Sequence, residues 1–291
     1  MKLTHYQQFG LLDPALKRVH YVTSGGIAMS KIETERRGRS FVVTINRPEV
    51  RNAVDGETAG LLFEAVEAFR HDESLDVLIL TGAGDIAFCA GADLKNLESL
   101  VSRPGAEDSG PMGISRITDL TKPTVAAING YCLAGGLELA CWCDFRIAAR
   151  NASFGVLNRR WGVPLLDGGT QRLPRIVGLG NALYLIETGV EIDADHALRI
   201  GLVQEVVTEG QAVARALKLA EAISIYPQTS LRNDRRSVYE GLSLPLREGL
   251  KLEREFHQES LVDPAMAEAL QHYAAGERPP PPRPPASSDI S

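Results

Sequence analysis

No apolar run in the chain reaches the ~18 residues that a membrane-spanning helix needs, and the N-terminus has no apolar signal core. A membrane or secreted protein is therefore not expected, and a soluble cytoplasmic one is. Cysteine is scarce. Cys89, Cys132, Cys141 and Cys143 form no disulfide-dense pattern, which fits a reducing compartment. Cys141 and Cys143 lie closer together than zinc-ligand spacing allows, and no second Cys/His pair follows them. They read as buried thiols, with no metal expected. Positive charge is not in excess: the formal net charge is -6. That argues against a nucleic-acid partner, whose phosphates are held mainly by Lys and Arg. There is no G-x-S-x-G elbow, and the six histidines, among them His71 and His196, belong to no Ser/His arrangement.

What is present is ordinary globular composition, 44% apolar and 23% charged over 291 residues. That length buries a sizeable core. Residues 1–28 show no sustained period and end near Ser24-Gly25-Gly26, so a poorly ordered leader is expected, with Met29 a possible true start. Residues 276–291 are Pro/Ser-rich and cannot pack a core. Between them, short strands alternate with helices. Strands are expected at 41–45, 77–82, 124–130 and 145–150, the second as a buried apolar run. Asp55 is placed to cap a helix through His71, with Leu61, Leu62, Ala65, Val66 and Phe69 on one face. From about residue 180, helices are expected at 180–189, 194–200, 211–225 and 247–275, with one β segment at 202–207. The pattern divides into a β/α core over 29–205 and a helical part over 206–275, with no period-locked repeat.

Two glycine-bearing segments carry the chemistry: FCAGADLKNL (88–97) and AAINGYCLAGGLELACWCD (126–144). In the second, a strand runs into Gly130, then Gly135-Gly136, then the helix formers Leu-Glu-Leu-Ala. Glycine at a helix start lets the backbone approach a ligand. The first amides of a helix have no internal partner, and their partial positive charge suits an anion. Glu138 falls on the first helical turn, where its carboxylate leans over the same space or serves only the helix dipole. The first segment has the same grammar: a strand, Gly91, then a helical start near Ala92-Asp93. Asp93 could be a plain N-cap and Lys95 a solvated charge.

Together with INRPEVRNAV (45–54), KPTVAAINGYCLAGGLELACWCD (122–144), GGTQRLPRIVG (168–178) and ALRIGLVQEVV (197–207), these segments resemble the crotonase (enoyl-CoA hydratase/isomerase) superfamily over residues 31–275. The resemblance implies an α/β fold, a ClpP/crotonase-like spiral of ββα turns with a C-terminal helical trimerisation region, assembling as a homotrimer or a hexamer of paired trimers. It implies an acyl-CoA substrate, with coenzyme A as part of that substrate and no separate cofactor. The Ala92 and Gly135 amides would form an oxyanion hole. The loop of Ala90, Gly91, Ala92, Asp93, Leu94 and Lys95 would line the coenzyme A site, with Arg51 and Ala53 near the adenine. Negative charge that builds on a thioester oxygen would meet two preorganised donors, and losing one such donor typically costs ~10²–10³ in rate.

The family's hydratases present two glutamates to the substrate. Glu138 matches one. Counting without gaps from Phe154 puts Asn158 at the place of the other, and an amide cannot exchange a proton as a carboxyl group does. Asp167, in LLDGGT, is the nearest replacement. Some superfamily members, such as dihydroxynaphthoyl-CoA synthases, carry an aspartate before Gly-Gly here, in a slightly different register. Asp167 could equally cap the helix that follows. Arg159 and Arg160 could bind a substrate carboxylate, or pair with acids at a subunit interface. Tyr273 and Arg278 match the aromatic and basic positions that reach a neighbouring subunit's coenzyme A in the family, although the usual lysine is absent. The expected activity is hydration of a 2-enoyl-CoA, a lyase reaction of fatty acid metabolism. An isomerase, decarboxylase or thioester hydrolase with one carboxylate is the alternative within the fold. An acyl-CoA-binding protein without turnover is the alternative outside it.

Overall fold

The structure is a computed structural model, and it describes residues 30–278. The leader expected over 1–28, Met29 and the tail from 279 onward lie outside the described residues. In chain order the strands are β1 (Ile32–Arg37), β2 (Ser40–Ile45), β3 (Val77–Gly82), β4 (Ala87–Cys89), β5 (Thr124–Ile128), β6 (Tyr131–Leu133), β7 (Phe145–Ala149), β8 (Ser153–Gly155), β9 (Glu191–Asp193) and β10 (Glu205–Val207). The helices are α1 (Gly56–His71), α2 (Leu97–Val101), α3 (Ala106–Ser109), α4 (Gly135–Trp142), α5 (Gly169–Thr188), α6 (Ala194–Arg199), α7 (Ala212–Ser224), α8 (Gln228–Gly241), α9 (Leu246–Leu261) and α10 (Pro264–Ala274).

The strands build two sheets. The larger has the order β1-β2-β3-β5-β7-β10, and the smaller β4-β6-β8-β9. Only β1 with β2 and β8 with β9 pair antiparallel. Successive turns of chain send one strand to the large sheet, a three-residue strand to the small sheet, and then a helical segment back. This happens from β3 to β4, from β5 to β6 and from β7 to β8, and it is the spiral of ββα turns expected above. Every residue of β3 is buried, as a central parallel strand requires. One face of the large sheet packs on the main core, which includes Phe69, Phe88 and Phe154. The other face, with Ile79, Val125 and Ile147, is covered by α7 through Ala212, Ala216 and Ala220. Their four-residue spacing puts three small side chains on one helical stripe, so the helix lies close to the sheet.

Several boundaries differ from those expected. The segment 202–207 is strand only over Glu205–Val207, because Leu202 and Val203 close the turn after α6 by donating to the Ala197 carbonyl. The long helix 247–275 is two helices. Asp263 caps α10 through the Ala265 amide, and Pro264 follows at its first position, which stops α9. The helix expected at 180–189 begins at Gly169 and is interrupted at Gly178, which has φ +78°. The helix α8 was not expected.

Asp55 caps α1 as expected, accepting from the Thr58 amide at 2.9 Å and from its hydroxyl at 2.7 Å. Lys31 pairs with it at 2.7 Å. Burial opposes its charge, but Lys31, Thr58 and Arg47 outweigh burial and hold the carboxyl down at about 2. A depressed carboxyl stabilises the fold above its unfolded value, and that contribution disappears as pH falls through the folded one. Asp55→Ala is expected to cost at least ~1 kcal/mol at pH 7, with the difference from wild type shrinking towards pH 2. Urea unfolding across that pH range measures it.

Candidate active site

Two turns of backbone define the site. The first follows β4. The Val54 amide donates to the Gly91 carbonyl at 2.9 Å, and the Asp93 amide donates to the Val54 carbonyl at 2.8 Å. This brackets Ala92, whose own N–H has no acceptor among the described residues. Gly91 makes the reversal at φ +101°, a value that excludes ordinary side chains. Arg47 clamps the preceding 47–55 loop to this turn. Its guanidinium donates to the Ala53 carbonyl at 2.6 Å, and it pairs with Asp93 at 3.0 Å and Asp55 at 3.3 Å. Asn52 secures the loop from behind, donating to the Ala83 and Ala87 carbonyls.

The second turn joins β6 to α4. Ala134 holds φ +52° and ψ -124°, a conformation that costs a residue with a β-carbon about 1–3 kcal/mol. Its amide donates to the Gly155 carbonyl at 2.8 Å. The strain turns the next amide, that of Gly135, out of the chain as the first N–H of α4, again without an acceptor among the described residues. The two turns touch. A β-carbon on Gly91 would lie 2.9 Å from the Gly135 nitrogen, and one on Gly136 would lie 2.0 Å from the Cys89 carbonyl oxygen. Glycine at these positions is a packing requirement.

A cavity of about 170 Å³ opens between the turns. Ala92 and Gly135 line it beside Glu138, Asn158 and Asp167, while Leu94, Leu97, Leu100, Met112 and Trp161 supply apolar wall. Glu138 is 4% exposed. Its Oε1 accepts from the Asp167 amide at 2.9 Å and the Gly169 amide at 2.8 Å, which leaves Oε2 for the cavity. Burial pushes this carboxyl up to about 7; the charge of Asp167 adds to the rise, and the two amides oppose it.

Asp167 does not cap α5; Gly168 occupies that position without a side-chain bond. Instead its Oδ1 accepts from the Met112 amide at 2.9 Å and from the Ser115 hydroxyl, which fastens the 110–115 loop over the cavity. Burial raises its pKa, against those two bonds and the charges of Arg116 and Arg172. Asn158 stands in the cavity wall, its Nδ2 donating to the Val163 carbonyl at 2.8 Å.

Of the other residues expected at the site, Ala90 and Leu94 also line the cavity. Arg51, Ala53, Asp93 and Lys95 do not. Arg51 is exposed and lies over the Tyr131 ring at 5.4 Å. Ala53 and Asp93 hold Arg47, and Lys95 is exposed. Arg159 and Arg160 are exposed. Neither residue lines the cavity, and Arg159 donates to the Ile186 carbonyl at 3.2 Å. Arg278 stacks on Tyr273 at 4.5 Å on an exposed surface. Trp161 was missed, and no local pattern marks it, because the turn that carries it meets the other walls only in three dimensions.

Residues 36–281 match the family model described as enoyl-CoA hydratase/isomerase. The crotonyl-CoA hydratase of Syntrophomonas wolfei is 39% identical over 78% of this chain and 88% of its own length. The short-chain-enoyl-CoA hydratase of Clostridium acetobutylicum is 36% identical over the same shares. Among solved structures, an enoyl-CoA hydratase from Mycobacterium tuberculosis superposes with a TM-score of 0.80 at 30% identity, covering 87% of this chain and 98% of that one.

A raised carboxyl weakens the fold where it must ionise. Relative to an ordinary glutamate value of 4.5, a native value of about 7 costs about 3 kcal/mol once pH exceeds both, and nothing below both. Glu138→Gln keeps the acceptor for both amides and removes the charge. The variant is expected to gain stability over wild type as pH rises from 4.5 to 8, by up to about 3 kcal/mol. Denaturant unfolding at the two ends of that range measures the gain.

Proposed function

The chain belongs to the enoyl-CoA hydratase/isomerase family, and from that premise we propose that it adds water across the C2–C3 double bond of a 2-enoyl-CoA thioester. One observation carries the reading. Two unengaged amides, of Ala92 and Gly135, border a single apolar cavity that also holds a carboxyl group poised near neutrality, Glu138. Attack of water at C3 pushes electrons onto the thioester oxygen. The two amides stabilise that oxyanion without reorganising. Glu138, ionised, takes a proton from the water through Oε2 as the C3–O bond forms. A proton returned to C2 completes the addition. Asp167, the second carboxyl group lining the cavity, is proposed as its source. The apolar walls exclude other water and fit a hydrocarbon acyl chain. A short-chain substrate is consistent with the small volume and with what the named relatives act on.

Asn158 favours a second reading, an isomerisation that needs only one carboxyl to move a proton between carbons. Mass analysis of the product from a 2-enoyl-CoA separates the two, because only hydration adds 18 Da, the mass of water. The apolar residues left exposed on α8 to α10, among them Val238, Leu242, Leu246 and Leu250, support assembly into trimers or paired trimers. Light scattering of the purified chain tests that.

Crotonyl-CoA hydration is expected to fall about 10²–10⁴-fold in Glu138→Gln. In wild type the acidic limb of kcat/KM is expected near pH 7, with activity lost as Glu138 takes up its proton below that value. A limb near pH 4 in wild type, or equal rates with Glu138→Gln, removes Glu138 from the reaction.

A further inference from the structure

The two oxygens of the Asp167 carboxyl are not equivalent. Oδ1 accepts from the Met112 amide at 2.9 Å and from the Ser115 hydroxyl. Oδ2 accepts from no group among the described residues, and it is not one of the sealed polar atoms left without a partner. The small part of Asp167 that is exposed lines the cavity. Ser115 is buried, and its hydroxyl has no other partner among the described residues, so its hydrogen goes to Oδ1. An oxygen that accepts from two donors is the less basic of the pair, and a proton taken up by Asp167 therefore goes to Oδ2. The hydroxyl is not what holds the 110–115 loop in place. Arg172 bridges the two segments independently, donating to the Ser115 carbonyl at 2.6 Å and to the Asp167 carbonyl at 3.1 Å. Gly110 leaves room for the hydroxyl, since a β-carbon there would lie 2.0 Å from the Ser115 oxygen.

Resting on the hydratase reading, we propose that Ser115 is a positioning residue for the proton delivered to C2, because with the Met112 amide it occupies Oδ1 of Asp167 and leaves the transferable proton on Oδ2. As water adds at C3, the Oδ2–H bond breaks and a C2–H bond forms. The electron pair left on Asp167 spreads over both oxygens, and the two donors at Oδ1 stabilise the share that arrives there. Between turnovers Glu138 gives its proton to solvent and Asp167 takes one back. Ser115 touches neither substrate carbon nor water in this scheme. It acts by holding the carboxyl in one orientation and by favouring its charged form.

Exchange at C2 of butyryl-CoA in heavy water tests this without hydration. Oδ2 takes the C2 proton, the electrons move to the thioester oxygen, and a deuteron returns from Oδ2 to C2, which mass analysis detects. A Glu138→Gln background leaves Asp167 as the one carboxyl group titrating in the cavity; the other charged groups around it are Arg103, Arg116 and Arg172. Exchange is expected to rise with pH as Asp167 ionises and to vanish in Asp167→Asn. A donor to a carboxylate favours its charged form, so Ser115→Ala is expected to move the midpoint of that rise up by about one pH unit. It is also expected to lower the plateau rate about tenfold, with butyryl-CoA affinity by calorimetry kept within about twofold. Ser115→Cys, which keeps a weak donor, is expected to fall between. An unmoved midpoint in Ser115→Ala overturns the proposal, as does loss of affinity in parallel with rate, exchange that persists in Asp167→Asn, or no exchange with Ser115 intact. Failure of the hydratase reading shows separately, as no hydration of crotonyl-CoA by wild type, because exchange involves no double bond.

Discussion

Everything at the site depends on two backbone turns lying in van der Waals contact. The reversal at Gly91 and the helix start at Gly135-Gly136 come from different turns of the spiral, and each fills the space where the other would need a β-carbon. Parallel pairing of β4 with β6 fixes their separation. The bracketing bonds from Val54 aim the first amide, and the strained Ala134 aims the second. Neither device stabilises the fold by itself. The strain at Ala134 is borne by the core beneath it, where α4 is buried along its whole length. Two unengaged amides are thus presented by groups that cannot titrate.

Charge enters that frame through one tightly held carboxylate. Glu138 is fastened by two amides of the 167–169 segment, and the side chain of Asp167 in turn fastens Met112, whose side chain packs against Gly135. The lid over the cavity, the acidic group within it and the amide turn beneath it form one connected unit. A change at Asp167 therefore reaches Glu138 by two routes, through the field of its charge and through the loop it anchors. Burial dominates the raised value of Glu138, so the apolar walls that accept an acyl chain are also what bring the carboxyl near neutrality.

The amide turns and Glu138 were legible in the sequence because their signal is local. A strand, a glycine and a helix former in succession specify a turn whose amides face outward, and β3, α1 and its Asp55 cap declared themselves by period and by cap chemistry. What could not be read depends on distance along the chain. The three-residue strands β4, β6 and β8 are too short to show a period and exist because the spiral supplies partners. Asp167 could be read as a second acid or as a helix cap, because it precedes a helix start. Only the tertiary fold shows that its carboxylate faces a loop some fifty residues earlier in the chain and leaves the cap position to Gly168. Arg51 and Lys95 were assigned by resemblance, and the cavity itself does not include them.

Asn158 and Asp167 are best understood together. A carboxyl at 158 would put a third acidic group into a cavity of about 170 Å³ that already raises the other two. Each further negative charge in such a space makes the others harder to ionise, and would drive Glu138 above the pH at which it can serve as a base. An amide at 158 keeps an oxygen in the wall without adding to that repulsion. Two carboxyl groups remain in the cavity, Glu138 near neutrality and Asp167 bonded to the 110–115 loop. What the chain gives up at 158 is a titrating group.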